Sequence, residues 1–290
     1  MSEKIITVFG ATGAQGGGLA RAIQADKAGG FRARAVTRNA KSEAAQRLAA
    51  LGAEIFEGDI DNPASIAAAM RGAHGAFCVT FYWAHMDAER ELREAKAMAD
   101  AAKAENVAHV IWSTLEDTRQ HMSLDDPRMP TLHGKYKVPH CDVKGEADAF
   151  FDPAHTTFLR TSFYWDNIIN LGMNPQADGQ GGYLFTLPMD DVKLPGIAAE
   201  DIGKIAYGIF KQGAPTLGKY IGAAGEHLSG AEMAAAMSDV LGVTVRHNAV
   251  SPDVYRSFGF PGADDLGNMF QFKGDFTQLY RGARDPAAAR

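Results

Sequence analysis

Three glycines at positions 10, 13 and 16 follow the apolar, β-branched run Ile5 to Phe9 and lead into a segment of helical pattern. That junction limits the folds open to the chain more than any other feature. A strand that passes at once into a helix through Gly-x-x-Gly-x-x-Gly needs one glycine for the tight turn. It needs a second where a ligand approaches the backbone and a third where helix packs on strand. Gly10, Gly13 and Gly16 take those places, with Gly17 and Gly18 extending the small-residue face. Backbone N–H groups at a helix N-terminus attract anions, so the loop reads as a diphosphate cradle in which Thr12 adds a hydroxyl and Gln15 borders the ligand. The plain alternative is a glycine-rich turn that binds nothing.

The rest of the first half agrees with the junction. Strands are expected at Ile5 to Phe9, Phe31 to Thr37, Ala53 to Glu57, Gly75 to Thr80, Val107 to Ser113 and Thr156 to Arg160. Helices are expected near 14–26, 41–51, 63–71, 86–105 and 139–151. Alternation of this kind marks βαβ units, and right-handed crossovers give an α/β fold with a doubly wound parallel sheet of the Rossmann type. In the 86–105 helix, Leu92, Ala95, Met98, Ala99 and Ala102 form the apolar stripe, while Glu91, Arg93, Glu94 and Lys96 fall mostly on the other side. Past residue 160 the alternation stops and glycines crowd between 172 and 182. This predicts a nucleotide-binding domain over 1–160 and a smaller C-terminal α/β domain over 161–290, with the chain crossing back to the first near 183–212. The smaller domain carries a strand at Tyr183 to Leu187, and Ser229-Gly230-Ala231-Glu232 reads as a capping box that opens a helix.

The second strand selects between dinucleotides. An acid near its end would bind the ribose 2'-hydroxyl of NAD, but this strand ends Thr37-Arg38-Asn39-Ala40-Lys41. Arg38 and Lys41 suit a 2'-phosphate that a carboxylate would repel, so NADP(H) is the expected cofactor; otherwise the two are solvated surface charges. Asp59, after the third strand, is placed for the adenine amino group, or else serves as an N-cap, for which Asp61 or Asn62 is better sited. Thr80 should border the cofactor from the end of the fourth strand.

Charge and composition exclude several classes. With 35 acidic and 29 basic residues the net charge is -6, which disfavours nucleic acid as a partner. No segment has the apolar length for a membrane span, and Met1-Ser2-Glu3-Lys4 leads directly into the first strand without a signal-peptide core, so a cytoplasmic location is expected. Cys78 and Cys141 are expected to stay unpaired, with Cys78 inside a strand and Cys141 beside a helix N-terminus where a thiol responds to oxidants or lies inert. No zinc-ligand spacing occurs.

Several segments together resemble the NmrA-like family, an atypical branch of the short-chain dehydrogenase/reductases. They are Val8 to Gly17, Val36-Thr37-Arg38-Asn39, Gly58-Asp59, Val79-Thr80-Phe81-Tyr82-Trp83, Lys144-Gly145-Glu146 and Phe260 to Phe270, the last being similar to the family's redox-sensor branch. The resemblance implies an NADP(H)-binding domain, a small C-terminal domain and a substrate or regulatory cleft between them. Typical relatives use Tyr-x-x-x-Lys, the lysine contacting the nicotinamide ribose, and a serine on the fifth strand. Here the spacing reads His140-Cys141-Asp142-Val143-Lys144, so Lys144 matches, Ser113 matches and histidine replaces tyrosine. Pro139 suits the first position of that helix, which puts His140 and Lys144 on one face. His140 is able to act as general acid, its neutral form favoured by the helix N-terminus, or is only a hydrogen-bonding residue. Tyr136 precedes the helix in a loop. Tyr164, in a turn that the family places beside the nicotinamide, is the better candidate for catalysis and cofactor contact. The aromatic clusters around Tyr82, Tyr164 and Phe270 otherwise read as packing.

Two functions follow as expectations. One is an NADPH-dependent reductase of a small carbonyl, quinone or related apolar compound, with its small-molecule substrate in the cleft. The other is a non-catalytic NADP(H) redox sensor that acts on a regulatory protein partner or a second copy in a homodimer.

Overall fold

The computed structural model describes residues 3–289. Six strands, β1 (Lys4–Val8), β2 (Phe31–Thr37), β3 (Glu54–Glu57), β4 (Gly75–Cys78), β5 (His109–Thr114) and β6 (Thr156–Arg160), alternate with five helices. The helices are α1 (Ala14–Ala25), α2 (Glu43–Ala50), α3 (Pro63–Met70), α4 (Ala88–Ala104) and α5 (Pro139–Ala147). The sheet order is β6-β5-β4-β1-β2-β3, every pair among them parallel, with the short strand Tyr220–Gly222 beside β6 at the edge. The order reverses at β1, so the crevice at the strands' carboxyl ends opens beside the glycine loop. This is the Rossmann-like α/β architecture that the alternating pattern predicts.

Two compact units are distinguished. The first runs up to Glu116 and adds Val143–Thr161 and Ala199–Ile221. Its core is built on Phe9, Ile66, Met70, Met98, Trp112 and Phe158, all buried, with Trp112 stacked on Phe151 at a centroid separation of 4.7 Å. The helix Ala199–Gln212 packs backbone to backbone against α1. A Cβ on Gly18 would stand 2.5 Å from Glu200 O, and one on Gly203 would stand 2.0 Å from Leu19 N. Any larger residue at either position would force the helices apart.

The second unit comprises Asp117–Asp142, Ser162–Ala198 and the chain from Gly222 onward. It holds two three-stranded sheets, one ordered Glu226–Leu228, Leu194–Ile197, Phe163–Tyr164, the other Val245–Asn248, Tyr183–Thr186, Gln176–Ala177. The helix Gly230–Leu241 opens with the capping box expected from sequence: Ser229 Oγ accepts from Glu232 N–H, and the Glu232 carboxylate accepts from Ser229 N–H. No helix among the described residues is long and apolar enough to cross a membrane.

The polar side assigned to α4 needs correction. Glu91 and Glu94 are buried along with Ala95, Met98 and Ala102, so the inward stripe of the helix begins with two carboxylates. They have side-chain partners, described next, which is why burial is tolerated.

Candidate dinucleotide site

The loop between β1 and α1 is held by Gly10, whose φ of +63° is easy only for glycine, and by a Gly13 N–H to Gly10 O bond of 2.9 Å. A Cβ at Gly16 would lie 2.6 Å from Gly10 O and 2.7 Å from Phe9 O, so helix and strand touch through bare backbone. Gly13 is the N-cap of α1, no side chain caps it, and the first turn carries no acid. Gly10, Thr12 and Gly13 are exposed. A helix end left in this state presents partial positive charge and free donors to an anion such as a phosphate group. Gln15 is half-buried and its Oε1 accepts from Ser113 Oγ at 2.7 Å, which ties the loop to β5.

Arg38 and Lys41 follow β2, both exposed, and neither makes an ion pair among the described residues. Asp59 is exposed after β3, and its Oδ1 accepts from Asp61 N–H at 3.1 Å. Asn62 caps α3, accepting from Ala64 and Ser65 N–H, which leaves the outer face of Asp59 to solvent.

Behind this open rim lies a closed one. Thr80, after β4, is buried; its Oγ1 donates to Glu91 Oε1 at 2.6 Å and accepts from Lys144 Nζ at 2.7 Å. Lys144 also donates to Thr80 O at 3.2 Å and pairs with Glu91 Oε1 at 2.9 Å, with its ammonium 5.2 Å from the Trp112 ring centroid. The Thr80 hydroxyl is therefore taken up in fixing Lys144. Glu91 was not singled out from sequence. The signal that finds it is the spacing Glu91, Glu94, Ala95, Met98, which puts two acids on the apolar stripe.

His140 and Tyr164 belong to the second unit, where each has its own surroundings. His140 Nδ1 pairs with Asp265 Oδ1 at 2.6 Å, and its backbone N–H donates to Asp265 Oδ2 at 3.1 Å. The Cys141 sulfur lies 3.3 Å from His140 Nε2. Burial works against the charged ring, but the carboxylate of Asp265 and then the Cys141 sulfur outweigh it and push the His140 pKa up to about 10. The expected neutral imidazole is thus corrected to an imidazolium at neutral pH, because a buried carboxylate acts on the ring more strongly than a helix end. Asp265 lies in the Phe260 to Phe270 segment, far away in sequence, and only the fold reveals the pair. Tyr164 is half-buried in register with Ile197, and the next residue, Trp165, covers Gly196 so closely that a Cβ there would lie 2.1 Å from the ring. Tyr136 is fully buried beneath the cations of Arg119 and Lys135. Cys78 and Cys141 are free and buried, and burial pushes the Cys78 thiol well above its ordinary range.

The model of the NmrA-like family matches residues 2–286. An NmrA-like family domain-containing oxidoreductase of Aspergillus versicolor is 40% identical over 232 residues, covering 72% of this chain and 61% of that protein. One from Cladobotryum sp is 28% identical, covering 92% of this chain and 83% of that protein. Among solved structures, the negative transcriptional regulator NmrA in complex with NADP superposes with a TM-score of 0.79 at 26% identity, covering 100% of this chain and 91% of that one. The same regulator in complex with NAD gives a TM-score of 0.79 at 25% identity, with the same coverage.

Proposed function

The chain belongs to the NmrA-like family, and on that premise we propose that it binds NADP(H) on the Gly10 to Gly16 loop and reduces a small carbonyl, quinone or related apolar compound. The observation that carries the reading is the exposed N-terminus of α1, uncapped by any side chain and free of acids in its first turn. Gly10, Thr12, Gly13 and Gly16 would hold the diphosphate, with Gln15 braced by Ser113 behind them. Arg38 and Lys41 would bracket the 2'-phosphate and Asp59 the adenine. Lys144, fixed by Thr80 and Glu91, would orient the nicotinamide ribose. When bound, the dinucleotide supplies a hydride. The curated relatives bearing the name oxidoreductase support a reductase, as does a buried lysine whose ammonium is held at one point.

The test is NADPH oxidation followed across quinones, aldehydes, ketones and imines, beside binding of NADPH and NADH. Arg38→Glu should weaken NADPH by about 10- to 100-fold, the worth of a charge-assisted hydrogen bond of about 1.5–3 kcal/mol, and leave NADH nearly unchanged. Equal loss for both dinucleotides would refute the 2'-phosphate assignment.

A second reading is favoured by one observation. The position expected to hold a catalytic tyrosine holds His140, whose two ring nitrogens already face Asp265 and Cys141. Under that reading the chain binds the same cofactor without turnover and regulates a partner, as the NmrA similarity suggests. Inactivity across the whole panel, with NADPH binding intact, would select it.

A further inference from the structure

Next to Lys144, on the side of Glu91 turned away from it, three polar atoms meet without hydrogen-bond partners. They are His85 Nε2, Glu91 Oε2 and Glu94 Oε2, on side chains 9%, 0% and 4% exposed. The histidine nitrogen is 3.6 Å from Glu91 Oε2 and 3.8 Å from Glu94 Oε2. Such atoms cost free energy unless something bridges them.

The identity of the bridge follows from the ring. His85 Nδ1 accepts the Asp87 N–H at 3.0 Å, so in the neutral imidazole the ring proton sits on Nε2 and points at the two carboxylates. A metal ion would need the lone pair that this proton occupies. One ring donor facing two acid groups at these distances suits instead a single water, which accepts from Nε2–H, donates to the Glu91 carboxylate and exchanges a proton with Glu94.

The charges call for one proton more. Glu91 faces Lys144, and Glu94 shares Arg90 with Asp61 at 2.9 and 2.6 Å, so three acids meet two cations. Asp87 lies beside His85 and adds to the negative side. Burial, opposed by Arg90 and reinforced by Glu91, lifts the Glu94 pKa to about 7, while burial keeps His85 neutral by lowering its own.

We propose that His85, Glu91 and Glu94 form a buried proton store that recharges Lys144 through Glu91. The proposal rests on the reductase reading. A proton leaves Lys144 Nζ for the oxyanion of the reduced product, breaking an N–H bond, forming an O–H bond and leaving a neutral amine. Glu94 passes its proton through the bridging water to Glu91 Oε2. Glu91, now a carboxylic acid with its proton on Oε2, turns about its Cγ–Cδ bond to carry that O–H to the lysine nitrogen, which takes the proton and leaves the carboxylate. Glu94 then refills from solvent at the half-exposed turn carrying His85. Electrons stay on their own atoms at each step of the relay.

The test begins with the protein free of cofactor. Nitrogen NMR of labelled histidine should show His85 protonated at Nε2, and carbon NMR of labelled glutamate should show one carboxyl that titrates near neutrality and vanishes in Glu94→Gln. The Lys144 Nζ resonance should move with that titration in the wild type and stay still in the nearly isosteric Glu91→Gln. In turnover, Glu94→Gln should lower kcat about tenfold or more while the NADPH KM stays unchanged. Four results would overturn the store: Glu94 ionised in the ordinary carboxylate range, a Lys144 signal indifferent to it, an unchanged kcat in Glu94→Gln, or added Zn2+ binding with the His85 proton moved to Nδ1. Absence of turnover on every compound would instead overturn the reductase reading, and the NMR coupling would still decide the store.

Discussion

The glycine loop and the Lys144 network lie in one compact unit and are built in opposite ways. The loop is open: its donors are backbone amides, its neighbours Arg38 and Lys41 make no ion pair among the described residues, and its shape comes from residues that lack side chains. The network is closed, because Thr80 Oγ1, Lys144 Nζ and Glu91 Oε1 are spent on one another. A surface meant to receive a charged ligand keeps its groups free, whereas a group meant to hold one orientation has its partners supplied by the protein.

The contrast is broken most forcefully at Lys144. Lys144→Ala leaves Glu91 buried without its cation and should cost about 3–5 kcal/mol of stability in urea denaturation, most of it regained in Lys144→Met with Glu91→Leu. A loss under about 1 kcal/mol would mean that the pair is solvated and the network not closed. Gly16→Val strikes the open side through its backbone. Its Cβ would press on carbonyl oxygens that cannot move without displacing β1, so a loss of about 1–3 kcal/mol and of dinucleotide binding is expected by thermal melting and titration. Retained binding would show that the loop tolerates a side chain and is no cradle. The gentlest change is Ser113→Ala, which removes the hydrogen bond tying Gln15 of the loop to β5. It should cost about 1 kcal/mol and weaken the dinucleotide by less than about tenfold. A larger drop in kcat than in affinity would move Ser113 from bracing the loop to the chemistry.

The same contrast explains what the sequence disclosed. Gly10, Gly13 and Gly16 were legible because each acts through its own backbone, and their spacing within a strand-turn-helix is local. Strands β1 to β6 and the Ser229 capping box were legible for the same reason. Glu91 and Glu94 were not, since a polar residue on a helix usually marks the solvent face, and what reverses that is a lysine on α5 and an arginine one turn back. Asp265 escaped because 125 residues separate it from His140. The edge strand Tyr220–Gly222 was missed because three residues, one a glycine, show no alternation to read.

The contact of Gly18 with Glu200 and of Gly203 with Leu19 has a consequence in time. During synthesis the chain emerges from the ribosome N-terminus first, so α1 is made long before the helix that covers it. The nucleotide loop is complete in sequence after residue 18, but its helix lacks a partner until residue 212 has been added. A fragment stalled before that helix therefore carries the whole phosphate motif and leaves the helix face behind it bare.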